Sequence, residues 1–164
     1  MTMKNTAIKR LKDLYMVEHY RKLPSIPPQC RVAPKYRDKT ANNLTKCIIS
    51  FLKLNQWQAE RINVMGRPID RRRIVTDCIG RKKQIGSLQF IPSGSTPGSA
   101  DISATIAGRS VKIEVKVGRD RQSEAQKEYQ QKVEAAGGFY YIACSLSGFL
   151  EFYDKFIEEV HHVS

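Results

Sequence analysis

SADISATIAGRSVKIEVKVGRDRQSEAQ, residues 99–126, reads as a β-hairpin, a basic loop and the first turn of a helix. Its first half alternates, with Ile102, Ala104 and Ile106 on one face and Asp101, Ser103 and Thr105 on the other. In its second half Val111, Ile113, Val115 and Val117 point one way and Lys112, Glu114 and Lys116 the other. A strand turns successive side chains to opposite faces, so each half has an apolar and a polar side. Closing the hairpin with a two-residue loop at Ala107-Gly108 sets Asp101 directly across from Glu114, about 5 Å apart at Cβ. Lys116 extends the same polar face. Alanine is not what the tightest turns prefer at the first loop position, so a slip of two residues is the competing register; it keeps every residue on its face.

Two carboxylates and a lysine on one side of a half-buried sheet call for an explanation. Adjacent carboxylates repel, and a divalent cation between them removes the repulsion. Hard oxygen ligands suit Mg2+ or Mn2+ far better than zinc. The competing reading is a solvated polar face of an ordinary hairpin.

The pattern extends beyond the hairpin. Gly98-Ser99-Ala100-Asp101, twelve residues, Glu114-Val115-Lys116, then Gln126 and Tyr129 on a helix and Gly137-Gly138 before an aromatic strand resemble a VRR-NUC domain over residues 42–145. That family belongs to the PD-(D/E)XK nuclease superfamily, whose members include archaeal-type Holliday junction resolvases. The resemblance implies a restriction-endonuclease-like α/β core and metal-dependent hydrolysis of DNA. It implies Asp101 and Glu114 as ligands of Mg2+ or Mn2+, with the backbone carbonyl of Val115 as a third. Lys116 would act on the attacking water or the phosphate, with Gln126 and Tyr129 positioning either. Many nucleases of the superfamily carry a glutamate in the first core helix. This chain has no carboxylate between Asp38 and Glu60, which leaves Asn42, Asn43 or water to complete the donor set.

At 164 residues the chain is long enough for one domain with a real core. Its net charge of +12 is unevenly spread: residues 1–100 hold 20 basic and 6 acidic side chains, residues 101–164 hold 8 and 10. An acidic hairpin following a strongly basic half suits a polyanionic partner, although plain solubility would give the same balance. No apolar run approaches the ~20 residues of a membrane span, and no signal peptide is visible. The four cysteines (30, 47, 78 and 144) show no CxxC pairing. Cys47 and Cys144 sit in apolar patterns and read as buried thiols. These features predict a reduced, cytoplasmic protein without a zinc framework.

Along the chain, residues 1–35 read as a basic arm and a Pro-rich linker, residues 36–164 as the nuclease-like domain. Residues 4–22 favour helix, with Ile8, Leu11 and Tyr15 in a narrow apolar stripe. A DNA-contacting arm, a dimer contact and a loosely ordered terminus are all open. Residues 42–54 repeat Leu44, Cys47, Ile48, Phe51 and Leu52 at helical spacing. Residues 58–64 predict a strand. Residues 66–86 predict an exposed loop of little apolar content, where Arg67, Arg71, Arg72, Arg73, Arg81, Lys82 and Lys83 either follow phosphates along a duplex or form a solvated surface. A short strand is expected at 87–91. Arg119 and Arg121 lie in the loop after the hairpin and join the candidate nucleic-acid contacts. Ser123-x-x-Gln126 fits a capping box, which competes with a site role for Gln126. Residues 139–145 predict a buried strand. The aromatics Phe149, Phe152, Tyr153 and Phe156 share one stripe of a last helix and read as core. His161 and His162 receive no role.

The order helix, three strands, helix, strand, helix predicts an α/β fold of one mixed sheet flanked by helices. Three functions compete: a metal-dependent endonuclease acting on branched, junction or nicked DNA, a nuclease-fold protein that binds without cutting, and a basic interaction protein. A junction requires two cuts related by symmetry, so a homodimer would favour a resolvase.

Overall fold

The computed structural model describes residues 3–63, 66–91 and 94–162. In chain order these form α1 (Met3–Lys22), α2 (Ala41–Leu54), β1 (Gln58–Arg61), β2 (Arg67–Asp70), β3 (Arg73–Thr76), β4 (Lys82–Ile85), β5 (Leu88–Ile91), β6 (Ile102–Ile106), β7 (Arg109–Val115), α3 (Glu124–Ala135), β8 (Phe139–Ala143) and α4 (Leu146–His162). The hairpin β6–β7 takes the register that the alternation requires, with Ile102 facing Ile113 and Ala104 facing Val111; the two-residue slip does not occur. Ala107 and Gly108 have φ of 47° and 75°, the two left-handed residues that a type I′ hairpin turn demands. Its backbone twist matches that of the strands, and their pairing holds an alanine in a conformation that glycine takes freely.

The hairpin is the middle of a four-stranded mixed sheet, ordered β1-β6-β7-β8. β6 pairs antiparallel with β1 on one side and β7 on the other, and β8 runs parallel to β7 after the α3 crossover. The apolar face, with Ile102, Ala104, Ile106, Val111, Ile113 and Val115 buried, packs in one core with α2 and α4. Thr40 caps α2 by accepting the Asn43 N–H. The α2 stripe Leu44, Cys47, Ile48, Phe51 and Leu52 is buried in that core. From α4, Phe149, Tyr153 and Phe156 enter it, and the Phe51 ring meets Phe149 and Tyr153 edge-on. The body is a mixed α/β fold with a mixed sheet flanked by helices, as expected, but the element order differs: two helices and seven strands precede α3, four of those strands pairing outside the main sheet.

The basic N-terminal segment joins this core. Leu11 is fully buried and Ala7 nearly so, and Arg10 forks onto Asp154 of α4 at 2.6 and 2.7 Å. The narrow apolar stripe is narrow because one seam of α1 packs inward while its cations face water.

Several expectations are corrected. The first strand is β1, ending at Arg61, and Val64 lies outside the described residues. β8 is an edge strand and only partly buried, with Phe139 39% exposed. Cys144 is exposed, because strand alternation after the buried Ala143 turns it away from the core; Cys47 is buried as expected. The basic segment is no loop. β2 pairs with β5 and β3 with β4 in one continuous register, Arg67 facing Ile91, Arg73 facing Ile85 and Thr76 facing Lys82. It forms a two-stranded ribbon whose β-formers need no core, since backbone pairing alone satisfies the polar main chain. Nor is it poor in apolar groups, for Ile74, Ile79, Leu88 and Phe90 are each more than half exposed. Among the described residues no helix is long and apolar enough to cross a membrane.

Candidate active site

The polar face of β6–β7 lies opposite the core, beneath the first turn of α3. Asp101 immediately precedes β6, and its Oδ2 accepts the Val115 N–H at 3.0 Å. The carboxylate thereby continues the ladder past the last paired residues. The Asp101 carbonyl accepts the Ile62 N–H at 2.8 Å, tying this edge to the end of β1. Gly98 holds the preceding loop against α3: with φ at +78°, a Cβ there would lie 2.2 Å from the Ala125 carbonyl oxygen. Only glycine permits that approach, which fixes Asp101 relative to the helix carrying Gln126.

Glu114 is 2% exposed. Its Oε1 receives the Lys116 ammonium at 3.1 Å and the Gln126 side-chain amide at 2.5 Å. Its Oε2 is buried and has no hydrogen-bond partner among the described residues. Burial, then the nearby Asp101 charge, pushes the Glu114 carboxyl above its ordinary range, against the pull of Lys116. Lys116 also reaches Asp120 at 3.4 Å. Burial pulls its ammonium down, but Glu114 and Asp120 outweigh this and the net shift is upward. Lys116 therefore keeps its proton, which suits a cation better than a general base.

Gln126 fills both roles that the sequence set in competition. Its Oε1 accepts the Ser123 N–H at 3.0 Å, closing the capping box, while its Nε2 holds Glu114. An amide carries an acceptor and donors at separate atoms, so cap and site contact coexist. Tyr129 reaches the site indirectly, edge-on to Tyr140 at 6.4 Å. Arg119 and Arg121 are exposed on the loop that carries Asp120. Asn42 accepts from Arg61 at 2.6 Å.

Tyr140 and Asp120 escaped the sequence reading. Tyr140 sits in register with Lys112 in the parallel pairing of β7 and β8, which places it on the polar face. Its hydroxyl is buried, and burial followed by the Glu114 charge pushes it up to about 12, against the opposing pull of the Gln122 side chain. Strand parity counted from Glu114 would have found it; the aromatic run disguised it as core.

Among the described residues no group of three His, Cys, Asp or Glu side chains is arranged to hold a metal. Asp101 and Glu114 with a backbone carbonyl still fit Mg2+, which keeps several waters and is commonly bound through one or two carboxylates. The donorless Oε2 of Glu114 is the observation in favour, since a buried carboxylate oxygen needs a partner. No protein-family model, curated protein or solved structure matches the chain.

Proposed function

We propose that this chain is a Mg2+- or Mn2+-dependent DNA endonuclease with a PD-(D/E)XK core of the VRR-NUC kind, acting in the cytoplasm on branched, junction or nicked DNA. The observation that carries this reading is the convergence of Asp101, Glu114 and Lys116 on one buried polar face, with a carboxylate oxygen left without a donor. The resemblance in the hairpin and the following helix supports it.

Asp101, Glu114 and the Val115 carbonyl would hold the cation, which supplies neutralisation of the anionic diester and hydroxide near neutral pH when bound. Lys116, its proton retained, stabilises charge on the phosphate oxygens or orients the attacking water. The Gln126 amide fixes Glu114. Tyr140 offers a buried hydroxyl to a phosphate oxygen, and Tyr129 packs against that ring.

A cleavage panel of duplex, nicked, flap and four-way-junction DNA, with Mg2+ or Mn2+ against EDTA, tests the reading. Metal-dependent cutting that prefers a branched form is expected, and absence of cutting on every substrate overturns it. The second reading, a nuclease-fold protein that binds without cutting, is favoured by the lack of a third metal-binding side chain among the described residues. The same panel separates the two.

A further inference from the structure

We propose that the ribbon formed by residues 67–91 enters the major groove of a B-form DNA duplex, so that the substrate is double-stranded beside the cut. The inference rests on the proposed action on DNA and adds how the duplex is gripped.

The ribbon's shape suits a duplex groove. The ribbon's regular elements pair only with each other, and all side chains but Ile69 and Ile85 are exposed. Each leg is ten residues long with eight of them paired, and spans about 30 Å, close to the ~34 Å of one duplex turn. The B-form major groove admits a two-stranded ribbon, whereas that of A-form RNA is too narrow.

Charge points the same way. The ribbon carries seven cations and two acids. Both acids are engaged internally: Asp70 takes the Arg72 guanidinium at 2.6 and 2.8 Å, and Asp77 accepts the Ile79 and Arg81 N–H groups at the tip. Among the described residues no carboxylate pairs with Arg67, Arg71, Arg73, Arg81, Lys82 or Lys83. Exposed Ile74, Ile79, Leu88 and Phe90 add apolar surface suited to thymine methyl groups. A second copy of the ribbon, equally cationic, would be repelled.

Placement completes the argument. The two legs meet where Ser95 Oγ donates to the Asn63 carbonyl at 3.1 Å and the Ile62 N–H reaches Asp101. The ribbon thus starts at the end of the sheet where Asp101 precedes β6.

The test uses the full chain in EDTA on a duplex of about two helical turns. Wild-type protein at saturation should protect guanine N7, the major-groove edge, from dimethyl sulfate. Replacing Arg71, Arg73 and Lys83 with Ala should restore methylation, weaken duplex binding at least tenfold and lower the slope of log affinity against log salt by about 0.9 per lost phosphate contact. Lysine at Arg71 and Arg73 should keep the slope. Unprotected N7, unchanged affinity of the Ala variant, or equal affinity for single strands overturns the inference. So does a dimer that Phe90→Ser dissolves with DNA binding intact. Because no step requires cleavage, a protein that protects N7 but never cuts refutes the proposed function alone.

Discussion

Residues 102–115 bury six apolar side chains on one face of the sheet and a carboxylate on the other, whereas residues 67–91 leave all but two side chains exposed. Both regions are antiparallel hairpins, and each holds an ion pair, but burial gives the pairs opposite character. Glu114 lies 3.1 Å from Lys116, yet its carboxyl is pushed up, because burial outweighs the ammonium. Asp70 lies 2.6 Å from Arg72 in water, and the guanidinium hydrogen bonds bring it down to about 2. The carboxylate in the body is thus held out of water, against the Lys116 ammonium and the Gln126 amide. On the ribbon the charges are solvated, contribute little to stability, and remain available to a polyanion. The proposed chemistry and the proposed grip thus fall on different hairpins.

The strongest way to break that division is to remove a body carboxylate. Asp101→Asn or Glu114→Gln is expected to lower cleavage at least about a hundredfold, while duplex affinity in EDTA changes less than twofold. Binding that falls together with cleavage would mean that the two regions are not separable.

Lys116→Ala sharpens the same contrast. The cleavage rate should fall on the order of a hundredfold through lost charge stabilisation. Mg2+ affinity measured by calorimetry should hold or tighten, because the substitution frees Glu114 Oε1 of its ammonium. Lost Mg2+ affinity would contradict the role given to this lysine.

Stability separates the regions next. Leu11 is fully buried, so Leu11→Ala should cost about 2–5 kcal/mol in chemical denaturation. Phe90 is larger but 64% exposed, and Phe90→Ala should stay within about 0.5 kcal/mol. Equal losses would show that the ribbon packs against the body after all.

The contrast also explains what was legible in the sequence. Strand alternation gave the 102–115 register and the shared face of Asp101, Glu114 and Lys116, because one buried side makes a one-residue slip expensive. The ribbon carries no such constraint: apolar and basic residues occur on both faces, so periodicity could not distinguish a paired strand from a loop. Tyr140 was hidden because an aromatic in a strand reads as core whichever face it occupies. Spacing reduces the Gln126 side chain to one point and so sets cap against site contact, whereas its amide has two ends.

The smallest expected effect concerns two carboxylates with matching titration and different places in the fold. Glu18, near the end of α1, is held down to about 2 by the Arg21 guanidinium at 2.7 Å, with the Lys22 ammonium adding to it and partial burial opposing. Its ordinary value is 4.5, so at intermediate pH the unfolded chain binds the proton more readily than the folded one. The stability that Glu18 contributes is therefore complete above about pH 5 and fades as pH falls toward 2. Glu18→Gln should lower the melting temperature slightly at pH 7, and the gap to wild type should close between pH 5 and pH 2. High salt should shrink it as well, since Arg21 is exposed. Asp70 is held down to about 2 in the same way by Arg72, but it sits on a ribbon whose side chains are nearly all exposed, and such a ribbon is expected to open without unfolding the body. Asp70→Asn should leave the main melting transition unmoved at every pH. A pH-dependent shift there equal to that of Glu18 would join ribbon and body into one cooperative unit.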